Sequence, residues 1–269
     1  MKDYILGSSN REFKRLGLQS KIFERESLQT LKLAGIAVGM RCADIGCGTG
    51  DVTFMMAKLV GGKGSVIGID RNSDVIEVCN RRAKKERLTN VKFLVGDIYD
   101  NELSEGSFDL VFSRFLFQHL EQPKSAIREM MKLVVPNGTV VAEENDQGTW
   151  LVYPPSSAFE KLRHAYVDLL RLANCDELIA RKLYSLFLEC GLDAAVGAYS
   201  ICIPMRGPFK KIGILVAKSL EPRILKAKLT AESEFLQMVE ELEEYARRRD
   251  GLALYATTFR VWGKKMKRK

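Results

Sequence analysis

The sequence predicts an α/β fold: a seven-stranded, mostly parallel sheet in three layers, with helices on both faces and helical insertions. Three observations carry this. Short, nearly continuous apolar runs alternate with helix-patterned segments from about residue 40 to 146, and strands apolar on both faces belong to parallel sheets covered by helices. The first run ends in Ala43-Asp44-Ile45-Gly46-Cys47-Gly48-Thr49-Gly50, three glycines at alternate positions directly ahead of a helical pattern. Two later strand-like runs, separated by helices, suit an antiparallel addition at the sheet edge.

In chain order, residues 10–34 pattern as an amphipathic helix, with Phe13, Leu16, Ile22, Phe23, Leu28 and Leu31 among charged neighbours. Strands follow at 41–45 and 65–70, with a helix over 52–59 between them. A third helix, capped by Asn72 or Ser73, runs through Arg87. Strands at 91–96, 108–113 and 138–143 complete the alternation, and the helix over 124–134 is stopped by Pro136-Asn137-Gly138. Beyond it, 154–173 and 177–190 read as helices, 194–204 as one strand, 209–249 as helical, and 255–262 as the last strand.

At 269 residues the chain fits one large α/β domain with insertions. Its composition, 46% hydrophobic and 28% charged, is that of a globular protein and not of a disordered or membrane-spanning one. Residues 1–8 lack the apolar core of a signal peptide. Six cysteines without a C-x-x-C pair read as reduced, buried thiols, so a cytoplasmic protein is expected, with neither a disulfide frame nor a zinc site. The net charge of +8 suggests nucleic acid, yet five of the basic residues crowd into 264–269 and no basic stretch is interleaved with aromatics. A solvated basic tail and a nucleic-acid contact are both open readings of that end.

The glycine spacing selects the ligand. A dinucleotide turn, Gly-x-Gly-x-x-Gly, wants its third glycine at position 51, where this chain has Asp51. Gly46, Gly48 and Gly50 let the backbone approach a ligand closely. Asp51 in the first helical turn suits the helix dipole and disfavours a pyrophosphate. Asp70 ends the second strand, where a carboxylate can accept from both ribose hydroxyls of a nucleoside, or else cap the next helix. Gly96-Asp97-Ile98 repeats the design after the third strand, with Asp97 an acceptor for an adenine amino group and Ile98 an apolar face for the ring.

Asp-x-Gly-x-Gly-x-Gly, the acidic residue after strand two and the Asp-hydrophobe after strand three together resemble the class I S-adenosylmethionine (SAM) methyltransferases, over about residues 38–146. The resemblance implies a Rossmann-like fold, SAM as cofactor and S-adenosylhomocysteine (SAH) as product. Tyr4-Ile5-Leu6-Gly7, then Glu12, Leu16 and Gln19, and finally Val261-Trp262-Gly263 are similar to a small-molecule-type group of that family. It implies cofactor contacts from Tyr4, Gln19, Asp44, Gly46, Cys47, Gly48, Gly50, Asp70, Arg71, Gly96, Asp97, Ile98, Ser113 and Arg114. Asp44 would lie near the cofactor's amino group and Arg114 near its methionine end. The implied organisation is a helical cap over the cofactor (1–37) and a SAM-binding domain (38–269) with a lid insertion at about 150–190 and a helical insertion at about 207–250.

Methyl transfer is an in-line displacement, so a base is needed only where the acceptor must lose a proton. His119, Glu144 and Tyr153 are the candidates; for His119 a structural or substrate-lining role is favoured over that of a base. Glu143, Glu144 and Asp146 are expected as solvated loop carboxylates and not as a metal site. Trp150, Tyr153, Phe159 and Tyr166 either shape an acceptor pocket or pack the inserted helices. The leading expectation is methyl transfer to a small organic acceptor at O, N or C. An RNA or protein methyltransferase, and a SAM-binding protein without methyl transfer, are the alternatives; a homodimer and nucleic acid stay among the open partners. Ser113-Arg114-Phe115-Leu116 lacks the Pro-Pro core of amino-methylating DNA enzymes, and no cysteine lies between Cys79 and Cys175 to serve as an RNA cytosine nucleophile.

Overall fold

The computed structural model describes residues 10–266. The chain runs α1 (Asn10–Leu33), β1 (Arg41–Ile45), α2 (Asp51–Val60), β2 (Ser65–Asp70), α3 (Ser73–Lys85), β3 (Val91–Val95) and β4 (Phe108–Arg114). A 3-10 turn (Phe117–His119) leads to α4 (Pro123–Leu133), β5 (Val134–Asn145) and β6 (Leu151–Tyr153). Then come α5 (Ser157–Leu172), α6 (Ile179–Glu189), β7 (Leu192–Tyr199), β8 (Cys202–Pro204), α7 (Ile212–Lys226), α8 (Glu232–Tyr245), β9 (Leu252–Leu254) and β10 (Thr258–Lys265). The seven-stranded sheet has the order β3-β2-β1-β4-β5-β10-β7, parallel except for β10, which is antiparallel to both neighbours.

Both faces of the sheet are buried, as the apolar strands require. On one face Ile45, Val111, Val140 and Ala142 pack against Ile127 and Met130 of α4 and Leu183 and Phe187 of α6. On the other, Cys42, Phe112 and Val141 meet Leu31 of α1 and Met56 and Val60 of α2. A separate core joins α5, α7 and α8 through Leu162, Leu170, Leu220, Ile224, Phe235 and Leu242. Phe23 of α1 ties that part of the molecule to a small sheet, β6-β9-β8.

Four expectations change. The helix over 124–134 passes directly into β5, and Pro136-Asn137-Gly138 sits inside that strand; Asn137 has φ 68° and the register to β4 shifts beside it, a bulge. The single strand at 194–204 is two, β7 in the large sheet and β8 in the small one. β6 and β9 were not legible, because three residues carry no readable alternation. The insertion expected at 150–190 divides: α5 joins the helical core, whereas α6 is an ordinary covering helix of the sheet.

Three further corrections concern side chains and the chain end. The inward face of α1 is polar as well as apolar, with Glu12, Arg15, Gln19, Ser27 and Thr30 all buried. All six cysteines are free, but Cys202 is exposed, because β8 turns it outward at a sheet edge. Part of the supposed tail is in register: Lys264 and Lys265 belong to β10, and Lys265 donates to the Val134 carbonyl at 2.9 Å. Among the described residues no helix is long and apolar enough to cross a membrane.

Candidate active site

A cleft opens at the carboxyl ends of β1, β2, β3 and β4. Sheet order reverses between β1 and β4, the place where open α/β sheets bind ligands. Its floor is the glycine turn. Gly46, Gly48 and Gly50 have φ of 71°, 51° and 75°, values that side chains adopt at a cost. The Gly46 and Cys47 N–H groups donate to the Ile69 carbonyl, both at 2.9 Å, which stitches the turn to the end of β2.

Two carboxylates stand in this floor. Asp70 accepts from the Gly48 N–H at 3.0 Å and the Asn72 N–H at 2.9 Å; burial raises its pKa against the pull of those donors. Asp44 is buried, accepts from Thr53 Oγ1 at 2.6 Å, and is pushed up to about 6, chiefly by desolvation. Asp51 is held by Thr49 Oγ1 (2.8 Å) and Arg82 (2.6 Å), and Asn72 caps α3. On the far side Asp97 closes a turn by accepting from the Tyr99 N–H at 2.9 Å, with Gly96 and Ile98 beside it on the cleft wall.

The roof comes from α1, whose Glu12, Phe13, Leu16 and Gln19 line the cleft. Arg15 is clamped by Glu12 through two contacts of 2.7 Å and donates to Gln19 Oε1 at 2.8 Å; Gln19 in turn donates to the Tyr255 hydroxyl at 3.3 Å. Arg114 lines the opposite wall and donates to Ser27 Oγ at 2.9 Å, and Ser27 donates to Glu143 at 2.6 Å. Phe115, at φ 56°, turns the chain after β4 and is held by its N–H to the Glu143 carbonyl at 2.8 Å.

The family model described as a methyltransferase domain matches residues 36–182. The chain belongs to this methyltransferase family. It is 32% identical over 132 residues to a demethylmenaquinone methyltransferase of Lactococcus lactis, a match covering 49% of this chain and 52% of that one. A demethylmenaquinone methyltransferase of Staphylococcus aureus is 33% identical over 50% of this chain and 54% of its own. The chain thus spans about half the length of the curated relatives it matches. The crystal structure of the YcgJ protein from Bacillus subtilis superposes with a TM-score of 0.61 at 18% identity, covering 91% of this chain and 100% of that one. At that identity the likeness is one of fold.

Of the cofactor contacts expected from the sequence, Gln19, Asp44, Gly46, Cys47, Gly48, Asp70, Arg71, Gly96, Asp97, Ile98 and Arg114 line this cleft. Tyr4 lies outside the described residues. Gly50 is one step removed; a Cβ there would stand 2.8 Å from the Phe93 ring, so its freedom serves packing. Ser113 is set back from the cleft: fully buried on β4, its hydroxyl has no hydrogen-bond partner among the described residues. Cys47 is held as a thiol by the neighbouring Cys79 thiol and by burial, which raise its pKa well above the ordinary value.

The base candidates separate. His119 lines the cleft, and burial followed by Arg15 and Arg71 lowers its pKa to about 3, so its imidazole is neutral. Glu144 is fully buried behind the 3-10 turn, accepting from the Gln118 N–H at 3.1 Å and the Asn145 N–H at 2.9 Å; desolvation pushes it up to about 8. It lines no wall of the cleft. Tyr153 is 62% exposed on β6 and away from the site. The expected solvated loop carboxylates are a correction: Glu143, Glu144 and Asp146 are all buried, and Asp146 forms a two-pronged pair with Arg181 at 2.7 and 3.0 Å. Among the described residues no cluster of His, Cys, Asp and Glu is placed to hold a metal.

Sequence reasoning missed Arg15, Ser27 and Phe115. The only available signal was polar residues at helical spacing on α1 (12, 15, 19, 27 and 30).

Proposed function

We propose that this chain is a SAM-dependent methyltransferase acting on a small organic acceptor and releasing SAH. One observation carries the reading: a buried carboxylate, Asp44, and a half-buried one, Asp70, flank a left-handed glycine turn and line one cleft at the sheet's switch point. The cleft fits SAM by its chemistry. Asp70 would hold the ribose hydroxyls and Asp97 the adenine amino group, with Ile98 against the ring. Asp44, a carboxylate short of compensating charge, suits the cationic amino-acid end, and Arg114 its carboxylate.

Bound SAM supplies a methyl group on a sulfonium; the C–S bond breaks with its electron pair left on sulfur as the acceptor's lone pair takes the methyl. The protein aligns the two partners and excludes water. Gln19 and Phe115 line the cleft and also a smaller polar cavity next to it. Neutral His119 is too weak a base to drive a deprotonation; it suits an acceptor of a hydrogen bond that orients the substrate.

The relatives named demethylmenaquinone methyltransferase support a small-molecule acceptor. Calorimetry with SAM and with NAD on the wild-type chain and Asp70→Ala tests the cofactor; tight NAD binding with none of SAM overturns the reading. Labelled SAM, incubated with extract metabolites and with total RNA separately, tests the acceptor class. Label is expected in the metabolite fraction and label confined to RNA would refute that part.

A further inference from the structure

Among the described residues the seven-stranded sheet ends in two unpaired edges, and they are built differently. β3 is five residues long and carries an exposed Lys92, the kind of charge that keeps an edge from pairing with another chain. β7 is eight residues long and in unbroken register with β10. Its stretch Ala194-Ala195-Val196-Gly197-Ala198 has no charge, no proline and no bulge, so none of the usual guards of an edge is present. Val196 is 44% exposed there.

Helix α6 widens the apolar strip. It packs on β5, β10 and β7, and one flank meets α4, where Lys124 donates to Glu189 at 2.7 Å and Cys190 reaches the Lys124 carbonyl. At about 3.6 residues per turn, Tyr184 and Leu188 fall on the opposite flank, beside the open edge of β7. They are 37% and 46% exposed. The charged groups that border the strip are matched within the chain: Arg181 by Asp146, Lys182 by Asp176 and Glu189 by Lys124. Asp193 stands opposite Lys264 in the β10 register.

A neutral strip of this kind gives a nucleic acid or an anionic lipid surface nothing to hold, since both bind through cations. It suits a second uncharged strand edge of the same length, and a second copy of the chain supplies one. Joining β7 to the β3 edge of another copy would propagate an open filament and set Lys92 in the seam, whereas β7 against β7 closes on a two-fold axis. We propose that β7 is a self-association surface. Two copies join edge to edge and antiparallel, forming one continuous sheet of twice seven strands, with Val196, Tyr184 and Leu188 buried at the seam. No residue of this strip lines the cofactor cleft, so the cleft stays open in the pair and the inference stands apart from the methyl-transfer reading.

Sedimentation equilibrium on the full chain tests it. At micromolar concentrations the mass should be twice 30.3 kDa, and amide exchange over 194–198 should slow as concentration rises. Val196→Lys sets like charges against each other across the seam and should weaken the pair at least about tenfold. Tyr184→Glu, on the exposed flank of α6, should do the same and serves where the strand variant fails to fold. Leu236→Lys, equally apolar and exposed but on α8, is the control and should stay paired. A monomer throughout the micromolar range overturns the inference. So does a pair that survives both strip variants, or one that the control disrupts as strongly as they do.

Discussion

On the proposed reading, Asp70 and Asp44 would divide the recognition of a nucleoside and an amino acid between them, and by different physics. Asp70 is a directional acceptor, already holding the Gly48 and Asn72 N–H groups. Hydrogen bonds to a charged group contribute about 1.5–3 kcal/mol, so Asp70→Ala should weaken SAM binding by roughly 10- to 100-fold in calorimetry. Asp44 acts through charge. Its folded pKa of about 6 stands above the ordinary 3.8, so in the ligand-free chain it favours folding below pH 3.8 and loses that contribution as pH rises through 6. Binding of a cationic ligand runs the other way, because the carboxylate must be ionised. SAM affinity should therefore fall as pH drops below about 6, with log Kd against pH approaching a slope of minus one. Asp44→Asn should be weaker at neutral pH and lack that dependence; an unchanged profile in the variant would assign the titration elsewhere. Both residues were legible in the sequence, since their identity is fixed by register with a glycine turn. Ser113 was not: β-strand alternation sends Arg114 to the cleft and its neighbour into the sheet.

At the scale of elements, α1 is held to the sheet by polar contacts more than its apolar pattern suggests. Ser27 and Thr30 both donate to Glu143 on β5, and the Tyr199 hydroxyl adds a third contact at 3.3 Å. The same Ser27 accepts from Arg114. Ser27→Ala leaves a buried carboxylate short of one donor and should destabilise the fold by about 1–3 kcal/mol. It should also weaken SAM binding, because Arg114 loses its anchor; denaturant melts and calorimetry read the two effects separately. The turn at Phe117–His119 depends on Glu144. That carboxyl has a folded pKa of about 8 against an ordinary 4.5, so its contribution to stability is complete below pH 4.5 and disappears as pH rises through 8. Glu144→Gln should flatten the fall in melting temperature between pH 6 and 8.5, and an equally steep fall in the variant would refute the assignment. Alternation and apolar runs gave α1 its extent but hid its polar stripe, because buried polar side chains at helical spacing read like solvated ones until their partners are known.

The whole molecule is two cores sharing one site. The sheet core builds the cofactor cleft, and α5 and α7 of the helical core line the smaller cavities next to it together with the small sheet. Phe235, fully buried in α8, fills the helical core and is not among the residues that line the cleft. Phe235→Ala should cost about 3–5 kcal/mol and raise amide exchange in α5, α7 and α8, with SAH affinity retained at temperatures where the chain stays folded. Loss of SAH binding without loss of the fold would show the two cores to be one unit for binding. Read alone, the sequence determined the parallel sheet, its strand order of appearance, the glycine turn and the carboxylates at the strand ends. These are local: periodicity, turn chemistry and register are written in adjacent residues. Only the tertiary structure decided that α6 covers the sheet while α5 does not, that short β6, β8 and β9 form a second sheet, and that residues as distant as Gln19, Gln118, Trp150, Val216 and Tyr255 line one chamber. A chamber wall is made of single residues from many elements, and no spacing in the chain records which of them meet.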